Sequence, residues 1–242
     1  SDGSSRRMSP PAPPRCMPPM PGRCACNGKS AAKTSRHEAS RPVHSNLIRV
    51  FVRVSKFPPD FFQLSLDPNR PVDVEIGCGV GFHPLHYARA NPDRQVVAFE
   101  KTREKFAKFL GRLKTHDPLP NLIPVHGDAV AWISHGFAPE SVDRYFLLYP
   151  NPYPKESQRN LRFHAMPFFS YLRATLKRGG TITMATNEEF LMREACLMMR
   201  EAWGLKLVEC RELGRGTTPR THFERKYLER GERCWNMVWI RT

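Results

Sequence analysis

From about residue 70 onward, the chain alternates short apolar runs with longer amphipathic ones. The apolar runs have the length of strands and read "VDVEI", "QVVAF", "LIPVHG", "VDRYFLLY" and "TITMAT". Between the first three, the helical period appears in "FHPLHYARAN", with Pro84 in its first turn, and in "TREKFAKFLGRLKTH", with Thr102 at its cap. This alternation predicts a parallel sheet with helices on both faces.

The second half of the chain extends the same pattern. We predict that "SQRNLRFHAMPFFSYLRATL" is largely helical despite Pro167, and that a further helix covers residues 188–203. Two closing strands, near residues 205–211 and 234–240, bring the number of predicted strands to seven. The predicted fold class is therefore α/β, a Rossmann-like domain with a seven-stranded, mostly parallel sheet.

Residues 1–42 lack this pattern. They are rich in proline and serine, and Lys and Arg far outnumber Asp and Glu. Such a segment has almost nothing to bury, so we expect a disordered basic arm. Residues 43–242 are then one domain, a length that suits a single core.

The amino-acid composition predicts the kind of partner and the cellular compartment. The formal net charge of +15 would attract an anionic partner, of which nucleic acid is the commonest, although a basic surface kept for solubility is an alternative. The seven cysteines are scattered and odd in number, which suits a reducing compartment. Neither a membrane-spanning run nor a signal peptide is evident in the sequence. These features predict a cytoplasmic protein without a membrane partner.

A glycine-rich segment, "VDVEIGCGVGF", follows the first predicted strand. It places Gly77, Gly79 and Gly81 where open α/β sheets bind ligands, and glycine lets the backbone approach a ligand closely. A nicotinamide fingerprint would need glycine or alanine at position 82, where the chain has Phe82, so that cofactor fits poorly.

Three carboxylates stand near the ends of successive predicted strands. Glu75 precedes the glycines, Glu100 ends the second strand where ribose hydroxyls would be bound, and Asp128 follows the third. Here the sequence resembles the class I S-adenosylmethionine-dependent methyltransferases, whose motif is an acidic residue followed by G-x-G-x-G. The resemblance implies S-adenosyl-L-methionine as cofactor, with the ribose at Glu100 and the adenine near Asp128. The motif residues are Glu75, Gly77, Gly79 and Gly81.

The segment "YPNPYPK", residues 149–155, follows the fourth strand, where such folds place the residue nearest the reactive methyl group. Its three prolines exclude both a helix interior and a paired central strand. Amino methyltransferases of adenine or glutamine have N-P-P-Y or D-P-P-Y here, and this chain is one proline short of that pattern.

The segment resembles more closely the F-P-D-P-W-x-K pattern of the tRNA (guanine-N7)-methyltransferase family. Pro150, Pro152 and Lys155 fit that pattern, and Tyr153 replaces one aromatic residue with another. Downstream, "MATNEEF" is similar to the family's A-T-D segment, and "RTHFERKYLERG" is similar to its T-x-[FY]-E. The resemblance covers roughly residues 72–242.

This resemblance implies methyl transfer from S-adenosyl-L-methionine to N7 of a guanosine in tRNA. Asn151 would lie between cofactor and guanine as the catalytic residue. Two family aspartates are replaced, by Asn151 and Asn187, and the basic cluster after the lysine is reduced to "ESQRNLR", which leaves Arg159 and Arg162. The implied substrate contacts are Lys155, Asn187, Thr221, His222, Phe223 and Glu224.

Two other functions stay open from the sequence. The protein could methylate another acceptor, a small molecule or a protein, or it could be a noncatalytic RNA-binding relative. No metal site is predicted, because His83 and His86 have a ligand-like spacing but no third ligand is evident. The sequence does not fix the oligomeric state, and a monomer is compatible with it.

Overall fold

The computed structural model describes residues 61–214 and 216–242, so the predicted arm and its boundary at residue 42 lie outside the described residues. The described residues form a seven-stranded sheet in the order β3-β2-β1-β4-β5-β7-β6. Strands β1 to β5 are parallel, and β7 is antiparallel to both β5 and β6. The predicted seven-stranded, mostly parallel sheet is thus confirmed. The strands are β1 (Val72–Ile76), β2 (Gln95–Glu100), β3 (Leu122–His126), β4 (Val142–Leu148), β5 (Leu176–Thr186), β6 (Lys206–Glu212) and β7 (Trp235–Ile240).

Six α-helices accompany these strands in the described part of the chain. The longest has 13 residues, and none is long and apolar enough to cross a membrane. The helices are α1 (Phe82–Ala90), α2 (Arg103–Lys114), α3 (Ala129–Gly136), α4 (Phe169–Thr175), α5 (Glu189–Glu201) and α6 (His222–Glu229).

The core explains why the apolar runs of the sequence became strands. Every residue of β1 and β2 is buried, as expected for parallel strands covered on both faces. The main cluster of buried side chains includes Val74, Phe99, Trp132, Tyr145 and Trp239. Burial on both faces leaves the carboxyl ends of the strands as the place where backbone and polar side chains can face a ligand.

The predicted helical segment between β4 and β5 is helical over most of its residues, but it is broken into three short helices instead of forming one. Two 3₁₀ helices, Glu156–Leu161 and Phe163–Ala165, precede the short helix α4. The chain is extended at Arg162 (φ −71°, ψ 131°) and again at Met166 (φ −74°, ψ 137°). Met166 precedes Pro167, whose ring disfavours a helical conformation in the residue before it.

Two short helices were not predicted, and one predicted cap differs in detail. Helix α3 follows β3, and helix α6 lies within the connection between β6 and β7. Thr102 does occupy the N-cap position of α2, but its side chain makes no capping hydrogen bond. The caps of the two unpredicted helices do form, because Asp128 accepts from the Val130 N–H and Thr221 accepts from the Glu224 N–H.

Replacing each of two glycines before α1 by alanine should lower the free energy of unfolding by different amounts. Gly81 has φ 78°, and an added Cβ would lie 1.9 Å from Cδ2 of Phe109. Gly79 has φ 61°, and an added Cβ would meet no atom within 4 Å. We expect Gly81→Ala to lower the free energy of unfolding by about 2–4 kcal/mol, and Gly79→Ala by about 1 kcal/mol from backbone strain alone. Denaturant unfolding checks this difference, and equal losses would contradict it.

Candidate active site

A cavity of about 450 Å³ opens at the carboxyl end of the sheet. Its floor is the loop after β1 together with the end of β2, and the chain leaving β4 forms one wall. Side chains from α1, α2 and α6 form the rim. The lining residues include Glu75, residues 77–80, Phe82, His83, Glu100, Lys105, residues 149–152, Phe163, Asn187, Glu188, residues 221–223 and Tyr227.

The glycine loop after β1 is fixed by β2. The N–H groups of Gly77 and Cys78 both donate to the Phe99 carbonyl at 2.9 Å, and the Gly79 N–H donates to Oε2 of Glu100 at 2.8 Å. An added Cβ at Gly77 or Gly79 would meet no protein atom within 4 Å. The backbone is therefore held in place while the space above it is free for a ligand.

Glu100 is the carboxylate at the centre of the cavity floor. It is only 5% exposed, and its Oε1 accepts from the Thr102 N–H at 2.7 Å while Oε2 accepts from Gly79. Each carboxylate oxygen can accept more than one hydrogen bond, so both keep capacity for ligand hydroxyls. The two backbone donors fix the orientation in which that capacity is presented.

Glu75 is paired with His83, a contact that was not predicted from the sequence. Its Oε2 lies 2.8 Å from Nδ1 of His83, and both side chains are buried and line the cavity. The His83 ring packs edge-on against Phe146, whereas His86 is exposed. In residues 61–214 and 216–242 no group of three or more His, Cys, Asp or Glu side chains could hold a metal ion.

The proline-rich segment after β4 has strained backbone at two tyrosines. Tyr149 (φ 54°) and Tyr153 (φ 46°) adopt the left-handed conformation, and each precedes a proline. A residue before proline normally prefers an extended conformation, so both positions need support from their surroundings. The Tyr149 N–H donates to the Ala185 carbonyl at 2.8 Å, and the Tyr153 N–H donates to Oδ1 of Asn151 at 3.3 Å.

Arg162 holds the far end of this segment. Its Nε and Nη2 donate to the Tyr153 carbonyl at 3.1 and 3.0 Å, and its Nη1 donates to Glu194 of α5. Its guanidinium also lies over the Phe190 ring, 5.0 Å from the centroid. Only 3% of Arg162 is exposed, so this residue stabilises the loop from inside the fold. Arg162, one of the two arginines left in the reduced basic cluster after Lys155, therefore faces the interior of the fold.

Glu224 holds Tyr149, at the start of the proline-rich segment. Its side chain is fully buried, and its Oε1 accepts from the Tyr149 hydroxyl at 3.0 Å and from Nη2 of Arg220 at 2.6 Å. Its Oε2 accepts from the Arg220 N–H at 2.6 Å, and Arg220 Nη1 donates to Asn236 of β7 at 2.7 Å. Burial alone would raise the pKa of the Glu224 carboxyl, but the hydrogen bonds and charge of Arg220, aided by Tyr149, hold that pKa below its usual value.

Comparison of the sequence with known proteins assigns the chain to a family. A family model for methyltransferases, Methyltransf_4, matches residues 69–237. A tRNA (guanine-N(7)-)-methyltransferase of Pseudomonas fluorescens strain SBW25 is 31% identical over 187 residues, which cover 75% of this chain and 74% of that protein. The chain belongs to the tRNA (guanine-N7)-methyltransferase family. The family resemblance predicted from the three motifs is confirmed.

A second relative agrees with this family assignment, and a solved structure agrees with the fold. A tRNA (guanine-N(7)-)-methyltransferase of Thermotoga maritima is 29% identical over 183 residues, and the match covers 76% of this chain but 58% of that relative's length. The crystal structure of the 16S rRNA methyltransferase KamB superposes with a TM-score of 0.54 at 21% identity, covering 72% of this chain and 90% of that chain. That likeness supports the Rossmann-like class I fold.

The family motifs meet at one cavity, although not all of their side chains line it. Asp128 caps α3 and pairs with Lys101 at 2.8 Å, and Lys155 is exposed at the start of a 3₁₀ helix. Gly81 is the N-cap residue of α1 and lies against the Phe109 ring of α2, and Glu224 contributes no group to the cavity but accepts from the Tyr149 hydroxyl. The predicted residues that line the cavity are Glu75, Gly77, Gly79, Glu100, Asn151, Asn187, Thr221, His222 and Phe223.

Sequence reasoning missed several residues that shape this family site. Phe82, Tyr149 and Tyr227 line the cavity, and His83 pairs with Glu75. The four-residue spacing of Phe223 and Tyr227 in the last motif could have revealed Tyr227, since such positions share a helix face. No local pattern revealed His83 or the buried role of Arg162, because their partners Glu75 and Glu194 belong to other secondary-structure elements, 8 and 32 residues away.

The buried Glu224 should make a measurable contribution to stability. We expect Glu224→Gln to lower the free energy of unfolding by about 2–4 kcal/mol at pH 7, because Arg220 and Tyr149 lose a charged acceptor. Exposed Glu229→Gln in the same helix should change it by less than about 0.5 kcal/mol. The folded-state pKa of Glu224 lies below its unfolded value, so its contribution is present above pH ~4.3 and is lost as the pH falls through the folded value. Denaturant unfolding across this pH range measures it, and equal stability of the two variants would contradict a structural role.

Proposed function

We propose that this protein transfers a methyl group from S-adenosyl-L-methionine to N7 of a guanosine in tRNA. One observation carries the proposal: the glycine loop, the proline-rich segment and the start of α6 all contribute to a single cavity. Each of these segments carries one of the sequence motifs that resemble the family. Relatives named tRNA (guanine-N(7)-)-methyltransferase support the choice of acceptor.

The cavity floor fits the cofactor. The open space above Gly77 and Gly79 admits a ligand against the backbone, and the fixed carboxylate of Glu100 can accept hydrogen bonds from two ribose hydroxyls. We assign Glu75 to the same half of the cavity, where its pairing with His83 fixes it. When bound, S-adenosyl-L-methionine supplies a methyl group on a positively charged sulfur that a lone pair can attack.

Methyl transfer to guanine N7 requires the protein to orient the reactants and to stabilise charge, and little else. Guanine N7 carries a free lone pair at neutral pH, so no general base is needed, and none of the cavity side chains has to remove a proton. Orientation and electrostatic stabilisation must therefore supply the acceleration. Asn151 stands on the cavity wall with its side chain tied to the Tyr153 N–H, and we assign it the orientation of the base.

We assign the remaining motif residues to the RNA side of the site. Asn187 lines the cavity and donates to Glu232 at 3.1 Å, and the exposed Phe223 offers a ring on which a base can stack. The exposed Lys155 can reach a phosphate of tRNA. Glu224 has a different part: since both of its oxygens are used inside the fold, it positions Tyr149 rather than contacting guanine.

The two asparagines favour a second candidate, a methyltransferase for another acceptor. Both line the cavity, where the family pattern has aspartates. Methylated guanine is cationic, and asparagine cannot stabilise that charge as a carboxylate would. A neutral product would not need the carboxylates, so a different acceptor would account for both replacements.

The first test is methyl transfer itself. With radiolabelled S-adenosyl-L-methionine and unmodified tRNA, nucleoside analysis should find the label in 7-methylguanosine. Asn151→Asp should raise the rate about tenfold, because it adds a negative charge beside a base that becomes cationic. Asn160→Asp, the same change at an exposed position outside the cavity, should leave the rate unchanged. Cofactor binding without labelled tRNA, or a fall in rate with Asn151→Asp, would favour the other acceptor.

Cofactor binding tests the assignment of Glu100 separately. Glu100→Ala removes the proposed ribose acceptor and releases the Gly79 N–H, so the dissociation constant for S-adenosyl-L-methionine should rise at least about tenfold. Glu104→Ala, at an exposed acid in the first turn of α2, should not change it. Calorimetry measures both constants, and equal affinity for wild type and Glu100→Ala would refute the assignment.

A further inference from the structure

Two arginines converge on one histidine at the rim of the cavity. Nη2 of Arg112, from α2, lies 2.9 Å from Nε2 of His222, and Nη2 of Arg225 lies 3.1 Å from Nδ1 of the same ring. His222 is the first residue of α6 and lines the cavity, and its ring packs against Phe82 at a centroid distance of 4.9 Å. We refer to these residues as the Arg112–His222–Arg225 cluster.

No protonation state of His222 satisfies both arginines. A guanidinium only donates hydrogen bonds, whereas a neutral imidazole accepts at one nitrogen and donates at the other, and a protonated one accepts at neither. Burial first, and then the charges of Arg112 and Arg225, lower the pKa of His222. One guanidinium therefore always faces an N–H group, and the partner that would resolve this is an anion.

The surrounding side chains do not supply that anion. Among the residues that the structure describes, Arg112 makes no ion pair, and Arg225 has only Glu229, with Nε and Oε1 4.0 Å apart. A surface pair at that distance contributes little. The two guanidiniums thus keep most of their capacity to bind an anion, and a phosphate oxygen is the group that a guanidinium fork matches best.

The positive charge continues along α2 toward the cavity. Lys105, Lys108 and Arg112 are spaced i, i+3 and i+7, so they lie on one side of the helix, and Lys105 itself lines the cavity. Neither lysine forms an ion pair with another residue in the described part of the chain. A row of cations matches a chain of phosphates rather than a single small anion.

We propose that the Arg112–His222–Arg225 cluster binds a backbone phosphate of the RNA that carries the acceptor guanosine. The proposal rests on the proposed function and adds a specific contact to it. A phosphate between the two guanidiniums would accept from both and would fix the strand beside the cavity. It would also favour protonation of His222, since the added negative charge offsets the two arginines.

The salt dependence of tRNA binding tests the cluster. The variant Arg112→Gln/Arg225→Gln should bind unmodified tRNA about tenfold more weakly at 0.15 M salt, and the slope of log K against log salt should be shallower by about one. The matched control is Arg193→Gln/Arg200→Gln, which changes two exposed arginines of α5 and should keep the wild-type slope. An unchanged slope in the cluster variant would overturn the proposal.

A second measurement uses the wild-type protein and does not depend on how well the variant folds. In the wild-type protein, the pKa of His222 measured by NMR should rise when a short oligoribonucleotide is added. A rise with inorganic phosphate but not with the oligonucleotide would assign the cluster to a small anion and overturn the RNA contact. If the glutamine variant is less stable, Arg112→Lys/Arg225→Lys retains the charge and should keep the salt slope, and loss of the slope there would count against the proposal.

These experiments measure RNA binding and not methyl transfer. The proposed function and the proposed phosphate contact can therefore be refuted separately. Absence of 7-methylguanosine alongside a shallower slope would refute the proposed function and support the phosphate contact. Methyl transfer by the wild type alongside an unchanged slope would support the proposed function and overturn the contact.

Discussion

The hydrogen bond from the Tyr149 hydroxyl to the buried carboxylate of Glu224 joins the two halves of the site. Tyr149 begins the loop that carries Asn151, and Glu224 belongs to the helix that presents His222 and Phe223 to the cavity. A buried charge is costly unless it is paired, so the buried carboxylate of Glu224 needs the guanidinium of the partly exposed Arg220. The geometry of the cavity therefore depends on an ion pair whose carboxylate is buried, and neither of its partners lines the cavity.

The opposite end of the same loop is held by another buried charge. Arg162 donates to the Tyr153 carbonyl and to Glu194, so the left-handed turns at Tyr149 and Tyr153 lie between two internal anchors. Proline stiffens the segment between them, and strain of this kind persists only where surrounding contacts determine the conformation. The loop can then present Asn151 in a defined orientation while leaving it exposed.

The strands and the half of the cavity built on β1 and β2 could be predicted from sequence because their causes are local. Runs such as "VDVEI" are apolar because β1 is buried on both faces, and Gly79 and Glu100 are placed by the ends of strands. The breaks in the helical segment after β4 have one local and one nonlocal cause: Pro167 stands in the sequence, whereas Arg162 is bound by Glu194, 32 residues away. Glu224 resembles a ligand contact in a motif, and only its burial, which no pattern displays, identifies it as a support.

The sheet order has a consequence for how the protein reaches its folded state. Strand β7 lies between β5 and β6, although it follows both in sequence, so β6 has no partner in the sheet until β7 is in place. Helix α6 lies in the connection between β6 and β7, and Arg220 is bound to Asn236 of β7. The half of the cavity built on β1 and β2 needs none of these contacts. Folding kinetics should thus separate the two halves, with the half that contains α6 forming only as β7 inserts between β5 and β6.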